Sequence, residues 1–468
     1  MASALVLVQQ PAVAAEKIEF VRFPDTFKWC VATSGHQIEG NNVNSDWWRW
    51  EHSKGKIING EMSGWATDHW NRVEEDAQLI SDLNVGYYRM SVEWSRLEPR
   101  PGVFSNKALE HYRHELKELL QRGIQPMVTL NHFTLPIWVA DRGGWEWDGM
   151  PEAFARYAEF VYRGLGHDVQ DWITINEPMV VAAFGYIGGT FPPGKTNDGA
   201  AAVRAVEKML RSHALAYHLL HRLAAMEKRA IRVGVAHHFR IFDPKRPLPA
   251  DWLMSWVISG AFNWAFPDAL KTGTLRLLIP QVVLKSFEGL KGTQDFIGVN
   301  YYTRNRVDFS SLKHTEDFQL VGEGHATTDV GWEIYPEGIY RILKSVAKRY
   351  RGLPILVTEN GLADGADIRR LEFLKDHLFQ LSRAVREGVP LEGYCYWSLL
   401  DNFEWTEGFE PRFGLYEVDY RTFERIPRLS ARFFAHVART GHFWYPNQSE
   451  IQLASNRSSS VPSFNALP

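Results

Sequence analysis

Short apolar runs alternate with longer stretches of helical periodicity along most of this chain, and that alternation constrains its fold more than any other feature. The runs lie near 29–34, 87–92, 125–131, 172–176, 232–237, 296–300, 354–359 and 393–398, rich in Ile, Val, Thr and aromatic residues as buried strands are. Between them, Leu109, Tyr112, Leu116, Leu119 and Leu120 share a helical stripe that stops at Gly123. Leu374, Leu378, Leu381 and Ala384 repeat the pattern before Gly388. Strand alternating with helix implies parallel pairing through right-handed crossovers. Eight such repeats fit a closed (β/α)8 TIM barrel with elaborated βα loops, an α/β fold, better than an open sheet. No Gly-x-Gly-x-x-Gly follows the first run, which weighs against a dinucleotide-binding sheet.

No linker rich in Gly, Ser or Pro divides the 468 residues, so one barrel domain is expected over 17–445. A flexible extension (1–16) and a Ser- and Asn-rich tail (446–468) are expected to flank it. A net charge of -3 gives no steering toward nucleic acid or anionic lipid. No apolar stretch approaches the roughly 20 residues of a membrane span. The apolar residues Ala4 to Val8 precede a small-residue stretch ending at Ala15 but lack a positive leader. A cytoplasmic location is therefore expected, with export as the alternative; Asn447 and Asn456 sit in glycosylation acceptors that matter only on that second route. The two cysteines, Cys30 and Cys395, fall inside apolar runs and read as reduced core residues rather than a disulfide. Aromatic content of 13%, with 18 tryptophans, leans toward sugar handling, because flat rings suit the apolar faces of pyranoses.

Two of the runs end in a glutamate followed by turn chemistry: Asn176-Glu177-Pro178 and Thr358-Glu359-Asn360-Gly361. The carboxyl ends of parallel barrel strands form the active face, and paired carboxylates suit glycosidic bond cleavage. Other strand ends bring Gln37 and Glu39, Arg89, Asn131-His132, Asn300 with Tyr302, and Trp397 followed by Asp401, Asn402, Glu404 and Trp405. Each alone reads as a satisfied core polar group. Together they do not, since independent core choices would not gather polar side chains at one end of most strands.

These motifs, in this order, resemble the family one glycoside hydrolases, the β-glucosidase-like enzymes. The resemblance runs from about Phe23 to Phe443 and rests on Gly35-His-Gln37-Ile-Glu-Gly40, Tyr88-Arg89-Met-Ser91, Thr174-Ile-Asn176-Glu177-Pro178, Asn300-Tyr-Tyr302, Trp332 in its Gly-Trp-Glu motif, Thr358-Glu359-Asn-Gly361 and Glu404-Trp405. It implies a retaining hydrolase of terminal β-glucosyl, and also β-galactosyl or β-fucosyl, residues, working through a covalent glycosyl-enzyme intermediate. Glu359 is then the nucleophile and Glu177 the acid/base. The resemblance gives Gln37, His132, Asn176, Glu404 and Trp405 the sugar, Trp397 its stacking floor, and Trp332 the leaving-group wall. Arg89 and Tyr302 touch the nucleophile, with Asn300 in support. Departures are Phe133-Thr134 after His132, where Trp-Asp is common, and His237-His238, where asparagine is usual. Retention of Glu404 argues against 6-phosphorylated sugars, and Glu177 against thioglucosides.

The residue types carry the chemistry on their own. A guanidinium and a phenol near Glu359 favour its ionised form, and that charge favours a protonated Glu177. No cofactor is implied. A metal-dependent hydrolase is the first rival, but the 17 histidines show no ligand spacing such as His-Glu-x-x-His. A non-catalytic sugar-binding relative and an enzyme acting mainly as a transglycosylase are the others. The first would lack a catalytic carboxylate, and an aryl-glycoside assay separates it.

Overall fold

The computed structural model describes residues 18–311 and 324–446; the 1–16 extension and the tail beyond Pro446 lie outside the described residues. Eight parallel strands close a barrel: β1 (Lys28–Ala32), β2 (Tyr87–Ser91), β3 (Gln125–Asn131), β4 (Asp171–Asn176), β5 (Arg232–Pro244), β6 (Ile297–Val307), β7 (Ile355–Asn360) and β8 (Leu391–Trp397). β8 pairs with β1, so no edge is left open inside the barrel. Every expected strand is present, and β5 and β6 run on well past their expected ends.

Helices fill each crossover. The first helical stripe becomes Asn106–Gln121, capped by Ser105, which accepts from the Ala108 amide, and ended by Gly123 at φ 75°. The second becomes Arg370–Arg386, its buried face made of Phe373, Leu374, His377, Leu378 and Leu381. Gly199–Met226, Pro336–Arg349 and Leu429–Thr440 complete much of the outer ring. Met127, Ile173, Ala236, Phe296 and Leu356, from successive strands or just ahead of them, form a buried cluster of their own. Charges gather at the strands' amino ends. Arg232 bonds Asp171 at 2.7 Å and Glu392 at 2.6 Å, and Lys28 reaches Glu392 at 3.3 Å. An antiparallel pair, Ile18–Arg22 with His442–Pro446, joins the two ends of the described chain.

The cysteines depart from expectation. Cys30 and Cys395 are disulfide-bonded across 365 positions of sequence. Barrel closure is the reason: β8 lies beside β1, and the register sets Cys395 directly opposite Cys30. Among the described residues no helix is long and apolar enough to cross a membrane.

Candidate active site

All twelve expected site residues come together at the carboxyl ends of the strands. Arg89 lies in β2, Asn300 and Tyr302 in β6, and Glu359 in β7. His132 follows β3; Asn176 ends β4, with Glu177 next. Trp397 ends β8, Glu404 and Trp405 follow it, and Gln37 sits in the short helix Gly35–Ile38 after β1.

Glu359 is held from two sides. Arg89 Nη1 donates to Oε1 at 2.5 Å, and the Tyr302 hydroxyl donates to Oε2 at 2.7 Å. Arg89 is fully buried, and its Nη2 donates to Asn176 Oδ1 at 2.7 Å. Asn300 Nδ2 bridges Asn176 Oδ1 at 3.1 Å and Glu177 Oε1 at 2.8 Å. One continuous network therefore ties the two glutamates together. Asn300, expected beside the nucleophile, hydrogen-bonds Glu177 instead; the Thr358 hydroxyl donates to Asn300 Oδ1 and fixes the orientation of that amide.

Glu177 has a further partner that residue types did not assign. His238 Nδ1 lies 2.9 Å from Glu177 Oε1, and Arg240 Nε lies 2.9 Å from His238 Nε2. Arginine only donates, so Nε2 accepts and the imidazole proton sits on Nδ1, aimed at Glu177. An accepting Nε2 makes the imidazole neutral, and burial, with the Glu177 charge opposing and Arg240 adding to it, holds His238 below its ordinary value. The signal available in sequence was the His237-His238 departure; nothing there indicated that Arg240 completes it.

These contacts act on both carboxyl groups of the pair. Burial raises Glu177, but His238, Asn300 and Arg89 together draw it below the ordinary carboxylate value. Burial pushes Glu359 up to about 7 despite Arg89, with the nearby Glu177 charge adding to the rise. Proton on either carboxyl is the same one-proton state of a coupled pair.

Around the pair lies a sugar-sized set of donors and flat rings. Asn176 Nδ2 donates to His132 Nε2 at 3.1 Å, which leaves Nδ1 of His132 as the protonated nitrogen, buried and without a partner among the described residues. Burial and Arg89 hold this imidazole well below its ordinary value. Gln37 Nε2 donates to Asn402 Oδ1 at 2.8 Å and to Glu404 Oε2 at 3.1 Å, so Asn402 joins the site. Burial, aided by Glu359, raises Glu404 to about 8. His132 stacks against Trp397 and Trp405 at 5.7 and 6.1 Å, while Phe133 and Phe191 back Trp405. Trp332 packs on Tyr302 at 5.6 Å and stays partly exposed at the rim. Among the described residues no group of three or more His, Cys, Asp or Glu is arranged to hold a metal ion.

Known proteins share this arrangement of strands. The profile of Glycosyl hydrolase family 1 matches residues 20–443. Beta-glucosidase A of Thermotoga maritima is 35% identical over 443 residues, covering 89% of this chain and 98% of that protein. A Beta-galactosidase of Pyrococcus woesei is 32% identical over 486 residues, covering 87% of this chain and 94% of that protein. Among solved structures, the Thermotoga maritima family 1 β-glucosidase superposes with a TM-score of 0.84 at 33% identity, covering 91% of this chain and 99% of that one. The β-glycosidase of Pyrococcus horikoshii gives 0.81 at 38% identity, covering 91% and 96%. A family profile that spans the whole barrel, and relatives above 30% identity along nearly their full length, place this chain in glycosyl hydrolase family 1 as a β-glycosidase.

Proposed function

We propose that the chain hydrolyses terminal β-D-glucosyl residues with retention of configuration, and β-D-galactosyl and β-D-fucosyl residues as well. The observation that carries this reading is the single network from Glu359 through Arg89, Asn176 and Asn300 to Glu177. Retaining hydrolysis needs one carboxylate to attack the anomeric carbon and one carboxylic acid to protonate the departing oxygen. Arg89 and Tyr302 aim and stabilise Glu359 as it attacks. Glu177 donates its proton to the leaving oxygen, then takes one from the water that releases the sugar. A glycosidic oxygen can bond only a protonated Glu177, so a bound substrate selects the productive member of the one-proton pair.

The other groups suit pyranose hydroxyls. His132 Nδ1 is a buried donor awaiting an acceptor, and Gln37 and Glu404, hydrogen-bonded to each other at 3.1 Å, set polar groups side by side. Trp397 presents a flat apolar face to the ring. Structures of the Thermotoga maritima β-glucosidase are in complex with glucoimidazole and with deoxynojirimycin, which supports a sugar-sized small molecule as ligand. The Pyrococcus woesei relative named a β-galactosidase supports breadth beyond glucose.

The test is kinetic. Glu359→Ala is expected to lose nearly all turnover. Glu177→Ala is expected to slow poor leaving groups by about 10²–10⁴-fold, the usual worth of general acid catalysis, while sparing leaving groups that need no proton. NMR should show the β-anomer of the released sugar first. Parent-like rates in both variants, or first release of the α-anomer, would defeat the reading.

A further inference from the structure

Next to the candidate site lies a second space that the sugar reading does not use. It is a cavity of about 610 Å³, lined by Met179, Phe184, Val206 and Phe262 among other apolar groups, with Arg240 and Asn305 on its wall. That is ample for a multi-ring small molecule. Two one-turn π-helices, Ala183–Ile187 and Gly260–Trp264, contribute to its lining, and such turns often mark functional sites.

Its position relative to the chemistry is defined. Met179 is two residues beyond Glu177. Phe262 packs on His238 at 5.7 Å, and Arg240 bonds His238, which bonds Glu177. The cavity therefore borders the proton donor's side, where a leaving group must lie.

Its charge is one-signed. Arg240 is the sole charged residue among the described residues lining the cavity. It is 7% exposed, and its partners are neutral: His238 and, through Nη1, Asn305 Oδ1 at 3.3 Å. No described carboxylate lies within ion-pair distance of it. Burial lowers this guanidinium to about 10, still a cation at neutral pH. Its counter-charge is ionised Glu177, linked to it through His238. When Glu177 is protonated, as cleavage requires, that compensation vanishes and the buried cation is left with neutral partners only: His238, Asn305 and the Trp332 ring 5.9 Å away.

We propose that this cavity receives the leaving group, and that the group it takes is an apolar ring system bearing a carboxylate directed at Arg240. The anion supplies the missing counter-charge in the state that precedes cleavage, and the rings cover the apolar walls. This rests on the glycosidase reading above.

The experiment compares two β-D-glucosides, of 6-hydroxy-2-naphthoic acid and of its methyl ester, on the full chain. 4-Nitrophenyl β-D-glucoside serves as reference. In the parent, kcat/KM for the acid relative to the ester is expected to exceed the ratio in Arg240→Met by about tenfold to a hundredfold, the worth of a charge-assisted hydrogen bond. Because Arg240 also holds His238 against Glu177, the variant can change the demand on the leaving group, so the inhibition comparison, in which no bond breaks, separates carboxylate binding from altered proton donation. Independently of any variant, free 6-hydroxy-2-naphthoate should inhibit the parent at least about tenfold more tightly than 2-naphthol. Equal ratios in the two enzymes, or equal inhibition by the two naphthols, overturn the proposal. If even the nitrophenyl glucoside is left intact by the parent, the glycosidase reading itself has failed.

Discussion

Glu177 shows how far a residue's chemistry is set by what touches it. It sits at φ 49°, as Trp405 does at 53° and Phe133 at 70°, left-handed backbone that costs an L-residue roughly 1–2 kcal/mol. Such conformations gather at functional sites, where surrounding structure holds them. Reading residue types along strand ends picked out side chains that the fold brings together, because polar groups there have few other reasons to exist. It did not identify who bonds whom. Arg89 and Tyr302 bond Glu359, while His238 and Asn300 bond Glu177, and the second set was not legible in the residue types. A prediction follows from the sign of that contact. His238 donates to the Glu177 carboxylate, which favours loss of the pair's last proton. Replacing it by phenylalanine, His238→Phe, removes the donor and should move the alkaline limb of the kcat/KM profile to higher pH. An unmoved limb, measured on an aryl glucoside from pH 5 to 10, would show that His238 does not govern this proton.

At the scale of elements, period and punctuation made the barrel legible: short β-branched runs, helical stripes, and turn residues such as Gly123. Their reach was less so. β5 and β6 continue pairing through Ile241 with Arg304 and on to Pro244 with Val307, carrying Arg240 and Asn305 to the cavity wall. The mixed polar sequence there hides strands whose register is fixed by each other rather than by the core. Long-range polar pairing was hidden for the same reason. His69 lies between Asp76, 2.7 Å away on Val73–Asp82, and Glu115, 3.1 Å away on Asn106–Gln121. Arg425, in the Arg425–Pro427 strand, holds Asp76 from the other side at 2.8 Å. Burial opposes a charged His69, but Glu115 and Asp76 outweigh it and raise the imidazole to about 10. His69→Gln should therefore destabilise the fold by about 3–5 kcal/mol, as for other broken buried pairs. A histidine raised on folding stabilises fully below its unfolded value of about 6.5, and loses that effect as pH climbs toward 10. The gap between parent and variant in urea midpoint should thus be widest near pH 6 and narrow steadily to pH 10. A gap independent of pH would show that His69 is not held as a cation.

For the whole molecule the decisive event is closure of the barrel. Closing eight strands makes the first and last neighbours, however far apart they lie in sequence. That rule was available from the repeat pattern, and it was the signal that could have paired Cys30 with Cys395 before any coordinates. Reading each cysteine by its local apolar surroundings instead led to two separate thiols. Their bond spans the same seam that Lys28 and Glu392 bridge at the strands' amino ends, so covalent and ionic ties both hold β1 to β8. A cross-link closing a loop of this length removes much of the freedom of the unfolded chain, about 5–6 kcal/mol on the chain-entropy scale. Thiol titration of the non-reduced protein in denaturant should accordingly find no free cysteine. Reduction, or the double replacement Cys30→Ser with Cys395→Ser, should lower the thermal midpoint while leaving aryl-glucosidase activity at low temperature, because the bond constrains the unfolded ensemble more than the site. Two titratable thiols, with a midpoint indifferent to reductant, would mean that strand pairing and packing alone secure the seam.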